Sequence, residues 1–177
     1  MAQPLEILVD RAQGGDKTAF GEIYILLFDK IYRFLYASLR NRELSEDLAQ
    51  NTFLRCWKSL SSYTKTHGSI QAFLFAIARN LMIDWYRKKK ALPLFLAEQI
   101  PSRENIEEEA IRGEEKGAVW KAILHLPGEE RQLIILRYFE EMPYEQIARI
   151  VGKQEGAVRV RVYRILKVLK KHLQKST

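Results

Sequence analysis

Residues 73–90 read Phe-Leu-Phe-Ala-Ile-Ala-Arg-Asn-Leu-Met-Ile-Asp-Trp-Tyr-Arg-Lys-Lys-Lys, aromatic and apolar at the start and closed by four consecutive bases. Unpaired bases stack on aromatic rings and cations track phosphates, so the pattern fits a helix that holds strand-separated DNA. On a helical wheel Leu74, Ile77, Ala78, Leu81 and Trp85 gather on one side, with Phe75 and Met82 at its edge. Arg79, Asn80, Ile83 and Arg87 gather on the other, flanked by Tyr86, with Lys88 following. The wheel therefore assigns Trp85 to packing rather than stacking. Asn80 is a mildly unfavourable mid-helix residue, and its amide can read the edge of an unpaired base. Asp84, four residues before Lys88, is placed to pair with it.

A second set of residues with nucleic-acid chemistry closes the chain. Residues 143–177 carry nine bases against Glu145 and Glu155, a local charge of +7. The spacing predicts a short helix from Tyr144 to Val151 opened by Pro143, a turn at Gly152, and a last helix from about Glu155 to Gln174. That is a helix-turn-helix. In the last helix Val158, Val162, Ile165, Leu166, Leu169 and Leu173 share one side, while Arg161, Arg164, Lys167, Lys170, Lys171 and Lys175 fall outside it and Arg159 lies at its margin. Recognition helices read bases with their N-terminal residues, here Ala157, Val160, Arg161 and Arg164. Arginine pairs bidentately with guanine O6 and N7, and small apolar groups suit a thymine methyl. The later lysines hold phosphates.

The elements that must position these residues are helical. Phe20, Ile23, Tyr24, Leu27, Phe28, Ile31, Tyr32, Leu35, Tyr36 and Leu39 recur at three- and four-residue steps, with Asp16 as N-cap. After a break at Asn41, a second helix runs from about Leu44 to Leu60. Its wheel sets Ala49, Phe53, Cys56, Trp57 and Leu60 against Asp47, Gln50, Asn51, Leu54 and Lys58. Residues 61–69 read as a loop. Pro127 suits the first turn of a helix carrying Leu133, Ile134, Leu136 and Tyr138. No strand alternation or internal repeat is present. The chain is expected to be all-α, two small helical domains (1–90 and 113–177) joined by a linker at 91–112. Residues 98–115 hold seven acids against Arg103 and Arg112, so acid separates the two basic regions.

The total of 177 residues with net charge +7 suits a polyanion partner. Cys56 is the single cysteine, and His67, His125 and His172 are scattered, so neither a disulfide framework nor a metal cluster is expected. There is no phosphate-binding glycine loop, zinc-protease signature or nucleophile constellation. No enzyme activity and no cofactor are expected. No apolar run approaches the roughly 18 residues of a membrane span, and the N-terminus is not built like a signal peptide. A cytoplasmic location follows, with no membrane insertion.

Three blocks, in order, resemble the small bacterial sigma factors of the extracytoplasmic-function group. Residues 46–55, Glu-Asp-Leu-Ala-Gln-Asn-Thr-Phe-Leu-Arg, resemble the segment that binds the clamp helices of the polymerase β′ subunit. Ile77 to Leu81, with Asp84 and Arg87 to Lys90, resemble the segment that melts and recognises the −10 element. Leu126-Pro127, Arg131, residues 136–140, residues 144–148, Gly156, Val158 and Arg161 resemble the −35-binding domain.

The resemblance implies a promoter-specificity subunit with core RNA polymerase, through the β′ clamp helices and the β flap, and promoter DNA as partners. An anti-sigma factor is a further implied partner, and nucleoid association follows when the chain is bound to polymerase. Asp47, Gln50, Asn51 and Leu54 would contact the clamp. Tyr63, Thr64 and Lys65 would line a pocket for a flipped −10 base, with Arg79, Asn80, Ile83, Arg87 and Lys88 beside it. Ala157, Arg159, Val160, Arg161, Arg164 and Lys167 would meet the −35 element. Asn51 stands where the family usually has Glu, Phe73 where it often has Trp, and Gln154 where it has Ser. Ala157 and Val160 replace hydroxyl residues and imply apolar contacts in the groove. Three alternatives stay open: a helix-turn-helix regulator without sigma activity, a nuclease, and an inactive sigma-like binding partner.

Overall fold

The computed structural model describes residues 3–91 and 114–175. Among them lie eight α-helices and no strand, as the sequence pattern predicts. The expected linker at 91–112 lies, apart from Ala91, outside the described residues. The described residues divide into two compact units, 3–35 with 42–91 and 36–41 with 114–175.

The first unit opens with α1 (Leu5–Gln13), a helix absent from the sequence-based expectations. It buries Leu8, Val9 and Ala12 on one stripe. Gly14-Gly15 turns the chain, Gly15 at φ +92, a conformation that favours glycine. Helix α2 (Lys17–Leu39) follows. The Asp16 Oδ1 accepts the Thr18 and Ala19 amides at 2.9 and 3.1 Å, which makes it the N-cap, while Arg11 grips Oδ2 at 2.6 Å.

This cap gives a testable pH dependence. The Ala19 amide, and next the Arg11 guanidinium, hold the Asp16 carboxyl below its ordinary 3.8. A carboxyl with a depressed folded pKa stabilises the fold above the unfolded value, and that contribution is lost as pH falls through the folded pKa. Asp16→Ala is therefore expected to melt below wild type at neutral pH, with the gap closing below pH 3.8. A gap independent of pH would exclude a charged cap.

Helix α3 (Arg42–Ser59) begins two residues before the predicted start, and α4 (Ile70–Ala91) three before the helix expected at 73–90. Between them the expected loop contains two single 3₁₀ turns, Leu60–Ser62 and Lys65–His67. Phe75 is not at the edge of the α4 packing face but in its centre. It is fully buried and meets the fully buried Phe34 edge-on, centroids 5.1 Å apart. Met82 is buried as well. Burial pushes the Cys56 thiol up to about 12, which leaves the one cysteine protonated at neutral pH.

The second unit contains α5 (Glu114–Leu124), α6 (Gly128–Ile134), a π-helical turn (Ile135–Phe139), α7 (Tyr144–Val151) and α8 (Glu155–Lys175). Pro127 caps α6 from just outside rather than sitting in its first turn. The buried Arg131 donates through Nη2 to the carbonyls of Leu124 and Leu126 at 2.7 and 2.8 Å, tying the end of α5 to α6, and through Nη1 to that of Ala37. The π turn closes through the Glu140 amide on the Ile135 carbonyl, 3.1 Å. Gly152, at φ +68, makes the left-handed turn between α7 and α8, and its amide bonds the Ala148 carbonyl. Val158, Val162, Ile165 and Leu169 bury one stripe of α8. Leu166, expected inside it, is exposed, because it lies off the centre of that stripe.

Candidate functional site

Three surfaces carry the predicted residues. The first is the outer face of α3. Asp47, Gln50, Asn51 and Lys58 are exposed there, and Leu54 keeps 50% of its surface in water. The opposite face buries Leu48, Ala49, Thr52, Phe53 and Cys56, so α3 is packed on one side and offered on the other. Leu54 and Gln50 border an open hollow also lined by Lys17, Phe20, Tyr24, Phe53 and Trp57. Its wall is aromatic: Phe20 lies 4.9 Å from Trp57 and Tyr24 lies 4.8 Å from Phe53. The α2 side of this hollow is not evident in the sequence, where those rings show only as core periodicity.

The second surface joins the loop before α4 to its outer face. Asn80, Ile83, Arg87 and Lys88 are exposed, and Arg79 is half-buried. Asn80, Ile83 and Arg87 follow one another at three- and four-residue steps and so share a row. Asp84 pairs with Arg87 at 3.1 Å, not with Lys88 as expected; the shorter step brings the planar guanidinium within reach. Trp85 is half-buried, with the Lys89 ammonium over its ring at 5.2 Å and Tyr86 edge-on at 5.1 Å. It is therefore not among the buried core residues with which the wheel groups it.

In the loop, Thr64 and Lys65 are exposed but Tyr63 is buried. The Tyr63 hydroxyl donates to the Gly68 carbonyl at 2.7 Å and the ring packs on Phe73 at 5.2 Å. Burial, the largest effect, pushes the phenol pKa up and keeps the proton that this bond needs. Tyr63 thus shapes the loop from inside instead of presenting a polar group. Helix α1 braces the same loop. The Gln13 amide donates to the carbonyls of Leu60 and Tyr63 at 3.0 and 2.8 Å, and Asp10 meets Lys65 at 3.2 Å. Apolar Leu5, Leu8, Val9 and Ala12 just before Gly14-Gly15 are the sequence signal for this helix.

The third surface is α8. Ala157, Arg159, Val160, Arg161, Arg164 and Lys167 are all exposed, Val160 by 50%. Arg159 bonds Glu155 at 2.6 Å and lies over the Tyr144 ring at 4.8 Å, a ring that Arg137 also faces at 4.7 Å. Lys167 lies over Tyr163 at 4.6 Å. Arg161 reaches Glu130 of α6 at 2.6 Å, and Lys153 reaches Glu129 at 2.8 Å. Among the described residues no group of three potential metal ligands occurs, and no helix is long and apolar enough to cross a membrane.

Residues 25–92 match the family Sigma-70 region 2 and residues 116–169 match Sigma-70, region 4. The ECF RNA polymerase sigma factor BldN of Streptomyces coelicolor is 30% identical over 166 residues, which cover 92% of this chain and 63% of that protein. The ECF RNA polymerase sigma factor SigM of Bacillus subtilis is 30% identical over 151 residues, covering 84% of this chain and 91% of that one. The sigma factor RpoE of Bartonella quintana, solved in complex with the anti-sigma factor NepR, superposes with a TM-score of 0.71 at 25% identity, over 88% of this chain and 96% of that one. With both regions in order, and with SigM matched over nearly its whole length, the chain belongs to the extracytoplasmic-function group of RNA polymerase sigma factors.

Proposed function

We propose that the chain binds core RNA polymerase, directs it to promoters through −35 and −10 elements and helps open the DNA. The observation that carries this reading is the pair of regions that match this family, each with an outward face of the chemistry its task needs. On α3 that face is Asp47, Gln50, Asn51 and Leu54, a mixed polar and apolar surface suited to a protein partner, the β′ clamp helices. On α4 it is Arg79, Asn80, Ile83, Arg87 and Lys88, with Thr64 and Lys65 of the loop near the flipped base and Tyr63 as the loop's internal support. On α8 it is Ala157, Arg159, Val160, Arg161, Arg164 and Lys167 for the −35 duplex, where exposed Ala157 and Val160 meet thymine methyl groups. The β flap would take another part of the second region. The chain acts by binding and positioning, without bond chemistry, in the cytoplasm and on the nucleoid when joined to polymerase. An anti-sigma partner is supported by the RpoE complex with NepR.

Run-off transcription with purified core polymerase over a promoter library tests the reading. A promoter-selective transcript that requires both proteins is the expected result. Selective duplex binding by the chain alone, with no transcript, would instead identify a helix-turn-helix regulator. Within the same assay Asn80→Ala is expected to slow open-complex formation roughly tenfold, with core binding unchanged. Equal losses in both steps would remove Asn80 from strand recognition.

A further inference from the structure

The exposed cations of α8 fall into two classes. Arg164, Lys167, Lys170 and Lys171 make no ion pair with any described residue, as befits groups that meet phosphates wherever these lie. Arg159 and Arg161 are held. Arg159 is paired with an acid of its own helix, Glu155 one turn earlier, and lies over the Tyr144 ring of α7. Arg161 is held by an acid from outside its helix: its Nη2 pairs with the Oε1 of Glu130, in the first turn of α6, at 2.6 Å. The Glu130 side chain is only 20% exposed and that of Arg161 52%, so the carboxylate is the anchored partner and the guanidinium the presented one.

We propose that Glu130 is a positioning residue for base readout, fixing the Arg161 guanidinium for one base pair of the −35 element. The inference rests on α8 being the −35 recognition helix. A guanidinium has five N–H donors, so an ion pair with Glu130 through Nη2 leaves donors for guanine O6 and N7. A guanidinium already oriented loses less rotamer freedom on meeting the base. The carboxylate charge also disfavours the competing state in which Arg161 swings onto a phosphate, which would raise affinity for every sequence alike. Glu130 therefore supplies selectivity at some cost in affinity. Glu129 offers a control beside it, since its carboxylate pairs with Lys153 of the turn and not with the recognition helix.

The test is holoenzyme binding to a library of −35 variants, using the full chain with core polymerase. Arg161→Ala is expected to lose about 5- to 100-fold of preference at one base pair. Glu130→Gln is expected to lose about threefold or more at that same base pair and no other, while binding to random duplex strengthens. Glu129→Gln makes the same charge change and should strengthen random binding without moving the base preference. In the Arg161→Ala background, Glu130→Gln should change the preference no further.

A Glu130→Gln variant with unaltered preference at the Arg161 base pair, or an effect that persists without Arg161, would overturn the proposal. So would loss spread evenly over all positions, which marks a structural role. Should Glu130→Gln fail to fold by thermal melting, Glu130→Asp keeps the charge but draws the carboxylate back by one methylene, and it must itself blur that one base pair. A wild-type holoenzyme with no −35 preference at all would remove the sigma reading and this inference with it. Preserved wild-type preference with an unaffected Glu130→Gln removes the inference alone.

Discussion

Replacing Leu54 by arginine is expected to leave the fold intact and to weaken the affinity for core polymerase by a factor of about 30–1000. The two halves of that expectation come from the two sides of α3. Leu54 is already half in water, so its loss removes little buried area from the core. The aliphatic stem of an arginine can lie along the neighbouring Trp57 ring with its charge in solvent. A partner helix docked on α3 has no such freedom. Leu54 is the apolar point among Asp47, Gln50 and Asn51, beside a hollow walled by Phe20, Tyr24, Phe53 and Trp57. An apolar anchor ringed by polar groups is the form that interface hot spots take. A charge placed there would be buried without a partner on docking. Thermal melting of the variant, core-binding titration and run-off transcription check the expectation together. Wild-type core affinity in a folded Leu54→Arg protein would move the polymerase interface off this face.

How much of this is legible in the sequence depends on whether a residue's role is set by its own helix or by a distant one. The packed side of α3 and its offered side follow from periodicity alone, since Phe53 and Leu54 are adjacent yet fall on opposite faces. The turn between α7 and α8 follows from Gly152 for the same local reason. Roles set across the fold are not legible. Phe34 lies off the Ile31–Leu35 row and Phe75 off the Leu74–Ala78 row, yet the two rings meet in the core of the first unit. Helix α1 has nine residues, too short to be stable on its own propensity, and it is fixed by burial and by Gln13 reaching two loop carbonyls. Tyr63 reads as a donor for a flipped base because nothing local shows that its hydroxyl is taken by Gly68. Charge counting over 143–177 yields +7 and places Arg161 among unpaired bases, while the acid that holds it stands at 130, outside that window.

Phe75→Ala is expected to be the most destabilising single change in the first unit, by about 3–5 kcal/mol. Phe75 and Phe34 have no exposed surface, and their edge-to-face contact joins α4 to α2. Deleting the ring removes its transfer free energy and leaves a cavity that two long helices, held also by α3, can close only in part. Against a typical stability of about 5–15 kcal/mol for a whole domain, that loss takes a large share. Phe75→Leu, which keeps most of the volume, should cost less, about 1–1.5 kcal/mol. Urea denaturation followed by helical circular dichroism measures both. The functional consequence separates this residue from the exposed row that follows it. Asn80→Ala should slow DNA opening roughly tenfold at every temperature, because in the proposed reading the lost amide is a group that meets the strand. Phe75→Ala should fail in core binding and opening together, and only as the temperature approaches its lowered transition. A Phe75→Ala protein with wild-type urea midpoint would mean that the α2–α4 contact does not hold the platform on which Asn80 is presented.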